Sequence, residues 1–266
     1  MTVELKQEEF AIAEGFFNRN KFQIPALAVI SSSFPGKVFV DNKENPEAAL
    51  VWALSRWSYF SCKESLPKHI GFIIEVLNTM IFPILGETGE SNFEVYCDKN
   101  TLRGNVLNEA LKDFKVNSHY ENTFILNREQ FEKADIHQEL TSGMEICECF
   151  LPIVPEVYQK YYPYDKFERK AFGMALRKNG ELISQCVNNG FVHGGRYFID
   201  LDTFSNSDRN KGSGTLISYH LIVNQLKRGL LPLWETTVDN VPSQKVAYKL
   251  GFEKLEEYTV YTISIF

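Results

Sequence analysis

The segment DRNKGSGTLISYH, Asp208 to His220, sets Arg209 and Lys211 just ahead of Gly212, Ser213 and Gly214, and a helical pattern begins directly behind them. Backbone amides in the first turn of a helix lack carbonyl partners, and the helix dipole adds about half a positive charge there. An anion can rest on those amides only where no side chain blocks it, which two glycines and a serine allow. Taken alone, the segment reads equally well as an anion cradle or as a helix start behind a solvated basic loop. Two anion motifs fail on spacing. A nucleoside-triphosphate loop needs its lysine after the glycines, and here Lys211 precedes them. A dinucleotide fingerprint needs a third glycine where Ile217 stands, and an all-parallel setting that the hairpin-like strands upstream do not provide.

The whole chain narrows the choice of anion. Its 266 residues, 44% hydrophobic and 23% charged, suit a globular protein with a sizeable core. A net charge of -6 argues against a nucleic-acid partner. The opening MTVELKQEEF is charged and shows no secretory pattern, and no uninterrupted apolar run reaches the roughly 18 residues of a membrane span. The expectation is a cytoplasmic chain with no membrane partner. Five cysteines form no disulfide framework, and Cys147 and Cys149, on either side of Glu148, lack a second Cys or His pair. They read as structural thiols, and no metal site is expected. The five histidines, His69, His119, His137, His193 and His220, do not cluster in sequence.

The elements that must position the loop follow from periodicity and turn residues. A helix is expected near Glu8 to Asn18. IPALAVI and KVFVDN read as strands around the turn SSSFPG, and AALVWALSRWSYFSC as a long β-capable run. LPKHIGFIIEVLNTMIF reads as a helix ending before Pro83, followed by strand NFEVYCD, helix TLRGNVLNEALKDF and strand HYENTFILN. After a connecting segment from about Arg128 to Lys166 come strands KAFGMALRKNG, ELISQCVNN and RYFIDLDTF. A helix from Thr215 to Arg228 stops at Gly229, LPLWETTV is a strand, Ser243 to Leu250 is a short helix, and YTVYTISIF closes the chain as a strand. Both stretches run strand, strand, strand, helix, strand, helix, strand. The expected architecture is therefore α/β (α+β) in two halves, 1–127 and 128–266, each a mixed, mainly antiparallel sheet flanked by helices. They differ at the third-strand junction, which is the glycine-free SCKESLPK in the first half.

The spacing Arg209-x-x-Gly212-x-Gly214 between an antiparallel strand and a helix resembles the coenzyme A pyrophosphate loop of the GNAT acyltransferase superfamily. DNVPSQKVAYKLGF strengthens the resemblance, with Asn240, Ser243, Lys249, Leu250, Gly251 and Phe252 at that family's spacing. GELISQC, PLWETTVDN and EEYTVY are similar to a subfamily, including acetylating antibiotic-resistance proteins, in which a degenerate N-terminal half precedes a working C-terminal one. The specific motifs cover about Phe172 to Tyr261; residues 1–150 share only the general pattern.

The resemblance implies two tandem GNAT-like halves, acetyl-CoA as cosubstrate, and direct transfer of an acetyl group to an amine of a small molecule. It implies that Arg209, Asn210, Lys211, Gly212, Ser213, Gly214 and Thr215 cradle the pyrophosphate. Backbone groups near Thr203 and Phe204 would pair with the pantetheine arm, and Asn240 and Ser243 would touch the cofactor's far side. The first half, lacking the loop, would bind no CoA and would shape the acceptor site or a homodimer surface. One position departs from the family: Ala247 stands where many GNATs carry a tyrosine acid, and Tyr248 is turned about 100° away around the helix. A thiol of pKa about 8.5 leaves readily as thiolate, so the harder task is the amine, about 0.04% neutral at pH 7 if its pKa is near 10.4. A carboxylate must collect that proton. Glu235 is preferred, with Asp202 or Asp200 on the neighbouring strand; the latter two share one face, which is either an acidic lining or a solvated face. The alternative reading is a non-catalytic acyl-CoA-binding or sensing module.

Overall fold

The computed structural model describes residues 2–18, 20–99, 101–136, 140–161, 170–204, 208–209 and 211–265. It divides into two compact units. The first comprises Met1–Glu121, Val154–Phe167 and Glu257–Phe266, and the second Asn122–Ile153 and Glu168–Glu256.

The chain begins with β1 (Val3–Glu4), a 3-10 helix over Gln7–Phe16, and α1 (Ile24–Ile30). IPALAVI is thus a helix and not the strand its composition suggests. Pro25 sits in the first turn, where its missing N–H costs nothing, and all seven residues are buried. A short helix apolar on every side shows no period, so it cannot be told from a buried strand by pattern. Next come β2 (Lys37–Val40), β3 (Ala48–Trp52) and β4 (Trp57–Cys62), joined as antiparallel neighbours. The long aromatic run is therefore two strands, folded through Leu54 and Ser55 at φ 66° and 49°. Neither residue announces a turn, because positive φ is unusual outside glycine, asparagine and aspartate.

The helix after β4 is α2 (Pro67–Glu75), which passes through a π turn over Val76–Ile81 into α3 (Phe82–Thr88). It does not end before Pro83. The π turn resets the hydrogen-bond ladder, so Pro83 occupies the first turn of a new segment. Pro67–Thr88 is long and apolar enough to cross a membrane by length and composition, and its residues Phe72, Ile73, Val76, Leu77, Ile81 and Leu85 are buried within the fold. The first half then adds β5 (Asn92–Asp98), α4 (Thr101–Ala110) and β6 (Val116–Leu126).

The second half contributes α5 (Arg128–Lys133), β7 (Met144–Pro152), β8 (Lys170–Lys178), β9 (Glu181–His193), β10 (Arg196–Thr203), α6 (Ser213–Lys227), β11 (Leu231–Thr237), α7 (Val241–Lys249) and β12 (Phe252–Ser264). Strands β7 to β10 form antiparallel hairpins, and β11 joins β10 in parallel. In the first unit β12 pairs with β5 from Tyr258↔Asp98 to Ser264↔Asn92, and in the second β6 neighbours β11. Each compact unit is therefore completed by the last strand of the other sequence stretch, and the division at 127/128 follows the repeat of element order, not the compact units.

The core of the second unit gathers Tyr197, Ile199, Ile217, Leu221, Trp234 and Leu250 beneath α6 and α7. Leu221 is fully buried there, so Leu221→Ala should cost about 3 kcal/mol. Tyr248→Ala, at a 52% exposed position, should cost about 1 kcal/mol or less. Urea unfolding of the two variants checks the contrast.

Candidate active site

Parallel pairing of β10 with β11 covers only Arg196↔Leu231 to Ile199↔Trp234. Beyond that, β10 runs on to Thr203 beside β9 while β11 runs on to Thr237, with no register between them. The two strands part, and the edge of β10 that should face β11 is open. Alternation decides which backbone groups face it. The Phe204 amide donates to the Ile183 carbonyl and the Asp202 carbonyl accepts from Ser184 Oγ, so both point toward β9. Thr203, and Leu201 two residues before it, turn their main chain toward the open edge. Of the two expected backbone positions, Thr203 thus faces the gap and the Phe204 amide is engaged elsewhere. Leu201 went unnoticed in the sequence, although strand alternation alone was enough to include it.

The helix behind this gap starts as its glycines require. Gly212 is the N-cap of α6 at φ 85°, a left-handed conformation that disfavours a Cβ, and its carbonyl takes the first helical hydrogen bond from Leu216 at 3.0 Å. No side chain among the described residues caps the helix. The amides of Ser213, Gly214 and Thr215 are the first-turn donors that an anion can use. Gly214 has a second task, since a Cβ there would lie 3.2 Å from Leu201 Cδ2. It lets α6 press close on β10. Arg209 Nε donates to the Thr203 carbonyl at 3.3 Å, tying the loop to the open strand edge, and exposed Lys211 pairs with Asp208 at 3.3 Å. Asn210 lies outside the described residues.

At the far side of the gap, Asn240 caps α7 by accepting from the Ser243 amide at 3.2 Å. Ser243 Oγ in turn accepts from the indole of Trp234 at 2.9 Å. Both residues therefore have internal work that fixes the end of β11 against α7. Ala247 lies in the core with no exposed surface, whereas Tyr248 points outward and stacks edge-on against Phe124 at 5.4 Å. The rotation inferred from the helix period is the one observed.

The carboxylates can be placed by face. Tyr197, Ile199 and Leu201 of β10, with Trp234 of β11, pack into the core under α6. Asp200 and Asp202 therefore share the opposite face, and Glu235, next to Trp234, lies on that same face across the gap. Glu235 is half-buried and the two aspartates are exposed. Thiol chemistry is disfavoured among the buried cysteines, because burial pushes the Cys186 thiol up to about 12 and the Cys62 thiol up to about 11.

The corresponding junction of the first unit is built differently. Strands β4 and β5 also pair in parallel only briefly, Trp57↔Glu94 to Tyr59↔Tyr96. However, α2 starts with Pro67, and the His69 amide is already used by the Leu66 carbonyl at 2.9 Å. Its first turn offers less to an anion than that of α6.

Known proteins share this fold. The GNAT acetyltransferase family profile matches residues 15–261. The chain is 21% identical over 266 residues to the uncharacterized N-acetyltransferase YdfB of Bacillus subtilis (strain 168), with 97% of each chain covered. A GCN5-related N-acetyltransferase-like protein from Streptococcus suis 89/1591 has the same fold at a TM-score of 0.66, with 16% identity over 96% of this chain and 98% of that one. A tandem GNAT protein from the clavulanic acid biosynthesis pathway matches at 0.63, with 11% identity over 100% of this chain and 98% of that one.

Two substitutions test the local architecture without any ligand. Asn240→Ala removes a cap and should cost about 1 kcal/mol. Gly212→Ala forces a side chain into the left-handed region and should cost roughly 1–2 kcal/mol. Urea titration of the purified variants measures both.

Proposed function

Because the chain belongs to the GNAT acetyltransferase family, we propose that this N-acetyltransferase moves the acetyl group of acetyl-CoA directly to the amine of a small molecule. The parting of β10 from β11 in front of an uncapped, glycine-started helix carries the reading. The first-turn amides of Ser213, Gly214 and Thr215 take the pyrophosphate, with Arg209, Asn210 and Lys211 adding positive charge and polar contacts around it. The open main chain at Leu201 and Thr203 pairs with the amides of the pantetheine arm and brings the thioester into the gap. Asn240 and Ser243 border its far side while holding Trp234 in place.

The acceptor amine approaches from the face that carries Asp200, Asp202 and Glu235. Two exposed aspartates attract the ammonium form. Half-buried Glu235, directly or through a water, takes the proton as the nitrogen attacks the thioester carbonyl. The new C–N bond forms, the C–S bond breaks, and coenzyme A leaves as a thiolate that water protonates; Ala247 supplies no acid and none is required at neutral pH. Asp202 is the second candidate for the proton. No cysteine takes part as a nucleophile. In the first half, the glycine-free start of α2, with Pro67 in its first turn, supports a unit that binds no CoA. Ala247 in the tyrosine position favours one rival, an acyl-CoA-binding module without turnover.

Calorimetry with acetyl-CoA should give one equivalent bound. Arg209→Ala should weaken binding about tenfold, as expected for one charge-assisted contact. Gly212→Asp should abolish it, since aspartate tolerates the left-handed backbone yet sets a carboxylate against the pyrophosphate. Binding retained in Gly212→Asp would exclude this site. In an amine screen read by CoA release, Glu235→Gln should lower kcat about 10²- to 10⁴-fold with the acetyl-CoA Kd unchanged. Binding without turnover on any amine would favour the rival module.

A further inference from the structure

Asp41, Glu47 and His69 bring two carboxylates and one imidazole within 4.8 Å of one another in the first unit, on elements that hold none of the residues assigned to the acyl donor or the acceptor amine. Asp41 follows β2 and Glu47 precedes β3. Asp41 Oδ1 accepts the amides of Glu47 and Ala48 at 2.9 and 3.0 Å, which shapes the connecting loop and leaves Oδ2 for other partners. Burial would raise the Asp41 carboxyl, but those two amides and the nearby charge of Lys68 hold it below the ordinary carboxylate value. It is an anion ready to meet a cation.

His69 supplies the second observation. It lies in the first turn of α2 with no exposed surface. Its Nδ1 is 2.8 Å from the Glu64 carbonyl, which can only accept, so Nδ1 carries the proton. That is the usual second bond of a metal-ligating histidine. Nε2 is then the nitrogen that faces Asp41 Oδ2 at 3.6 Å, buried and with no hydrogen-bond partner among the described residues. The distance is too long for a hydrogen bond. It suits two ligand atoms on one ion, because nitrogen and oxygen ligands about 2.0–2.2 Å from a tetrahedral zinc lie roughly 3.3–3.6 Å apart. Lys68 already marks the spot as one that favours positive charge: its ammonium is hydrogen-bonded to Glu47 and lies 3.5 Å from Asp41 Oδ2. Its half-exposed side chain can swing into solvent.

We propose that Asp41, Glu47 and His69 bind a divalent transition-metal ion of the zinc type, which displaces the Lys68 ammonium and staples the β2–β3 loop to the first turn of α2. The imidazole ligand selects against calcium and magnesium, which prefer oxygen alone. The role is structural, since the ion joins two segments that no ladder connects.

The test uses the full chain, free of any affinity tag and stripped by chelator, titrated with ZnCl2 by calorimetry and with CoCl2 by visible absorption. The expected result is one saturable equivalent, a raised Tm, and an intense cobalt band of low coordination number. His69→Gln and Glu47→Gln should each weaken zinc binding at least about tenfold, and Lys68→Ala should tighten it by removing the internal competitor. Glu47 is a loop residue, so its variant remains decisive if His69→Gln does not fold. Zinc binding that persists unchanged in both ligand variants, or no binding in either the natural chain or Lys68→Ala, would overturn the proposal.

Discussion

Two parallel strands that hydrogen-bond for four residues and then part leave polar backbone groups that must find partners elsewhere. The site depends on this constraint. The parting can persist only because both strands are anchored on the side away from it. β10 is held by β9 along its length, to Thr203↔Ser184, and β11 neighbours β6 on its other edge and is tied to the start of α7 by the indole of Trp234, which reaches Ser243. Arg209 occupies the Thr203 carbonyl from the loop side, which leaves the open edge partly satisfied and within reach of a substrate.

The core and the site share residues. Leu201 packs under Gly214 while its main chain faces the gap, so the close approach of α6 to β10 and the exposure of that edge arise from one arrangement. Ile199 and Trp234 form the last ladder rung and are both core residues, so burial of their side chains sets where the strands part. The face assignment of Asp200, Asp202 and Glu235 follows from the same rung. Three carboxylates sit together because their apolar neighbours could go only inward.

Much of this was legible in the sequence, and the gaps have physical causes. Gly212 and Gly214 stood out because few other residues start a helix in that way, and Asn240 and Ser243 stood out by their spacing ahead of Lys249 to Phe252, although the cap that Asn240 makes was not read. Alternation placed Asp200 and Asp202 on one face but could not tell which face looked toward α6, because that needs the partner strand. IPALAVI was misread because an all-apolar helix has no period, and the hairpin at Leu54 and Ser55 because neither residue signals a turn. Those two errors offset each other, so three strands, a helix, a strand, a helix and a strand still recur in both stretches, from β2 and from β8, with β1 and β7 as additional strands ahead of them. The Asp41, Glu47 and His69 cluster was invisible, since the carboxylates belong to a hairpin loop and the imidazole to a helix that only the fold brings beside it.

The most direct test of the account is amide hydrogen exchange on the full chain with and without acetyl-CoA. The account predicts new protection at Leu201, Thr203 and the first turn of α6, Ser213 to Thr215, with no change at the start of α2 around Pro67 to His69. Protection at the start of α2, or none at the first turn of α6, would contradict it, because the open edge and the uncapped helix would then not be where the acyl donor is held.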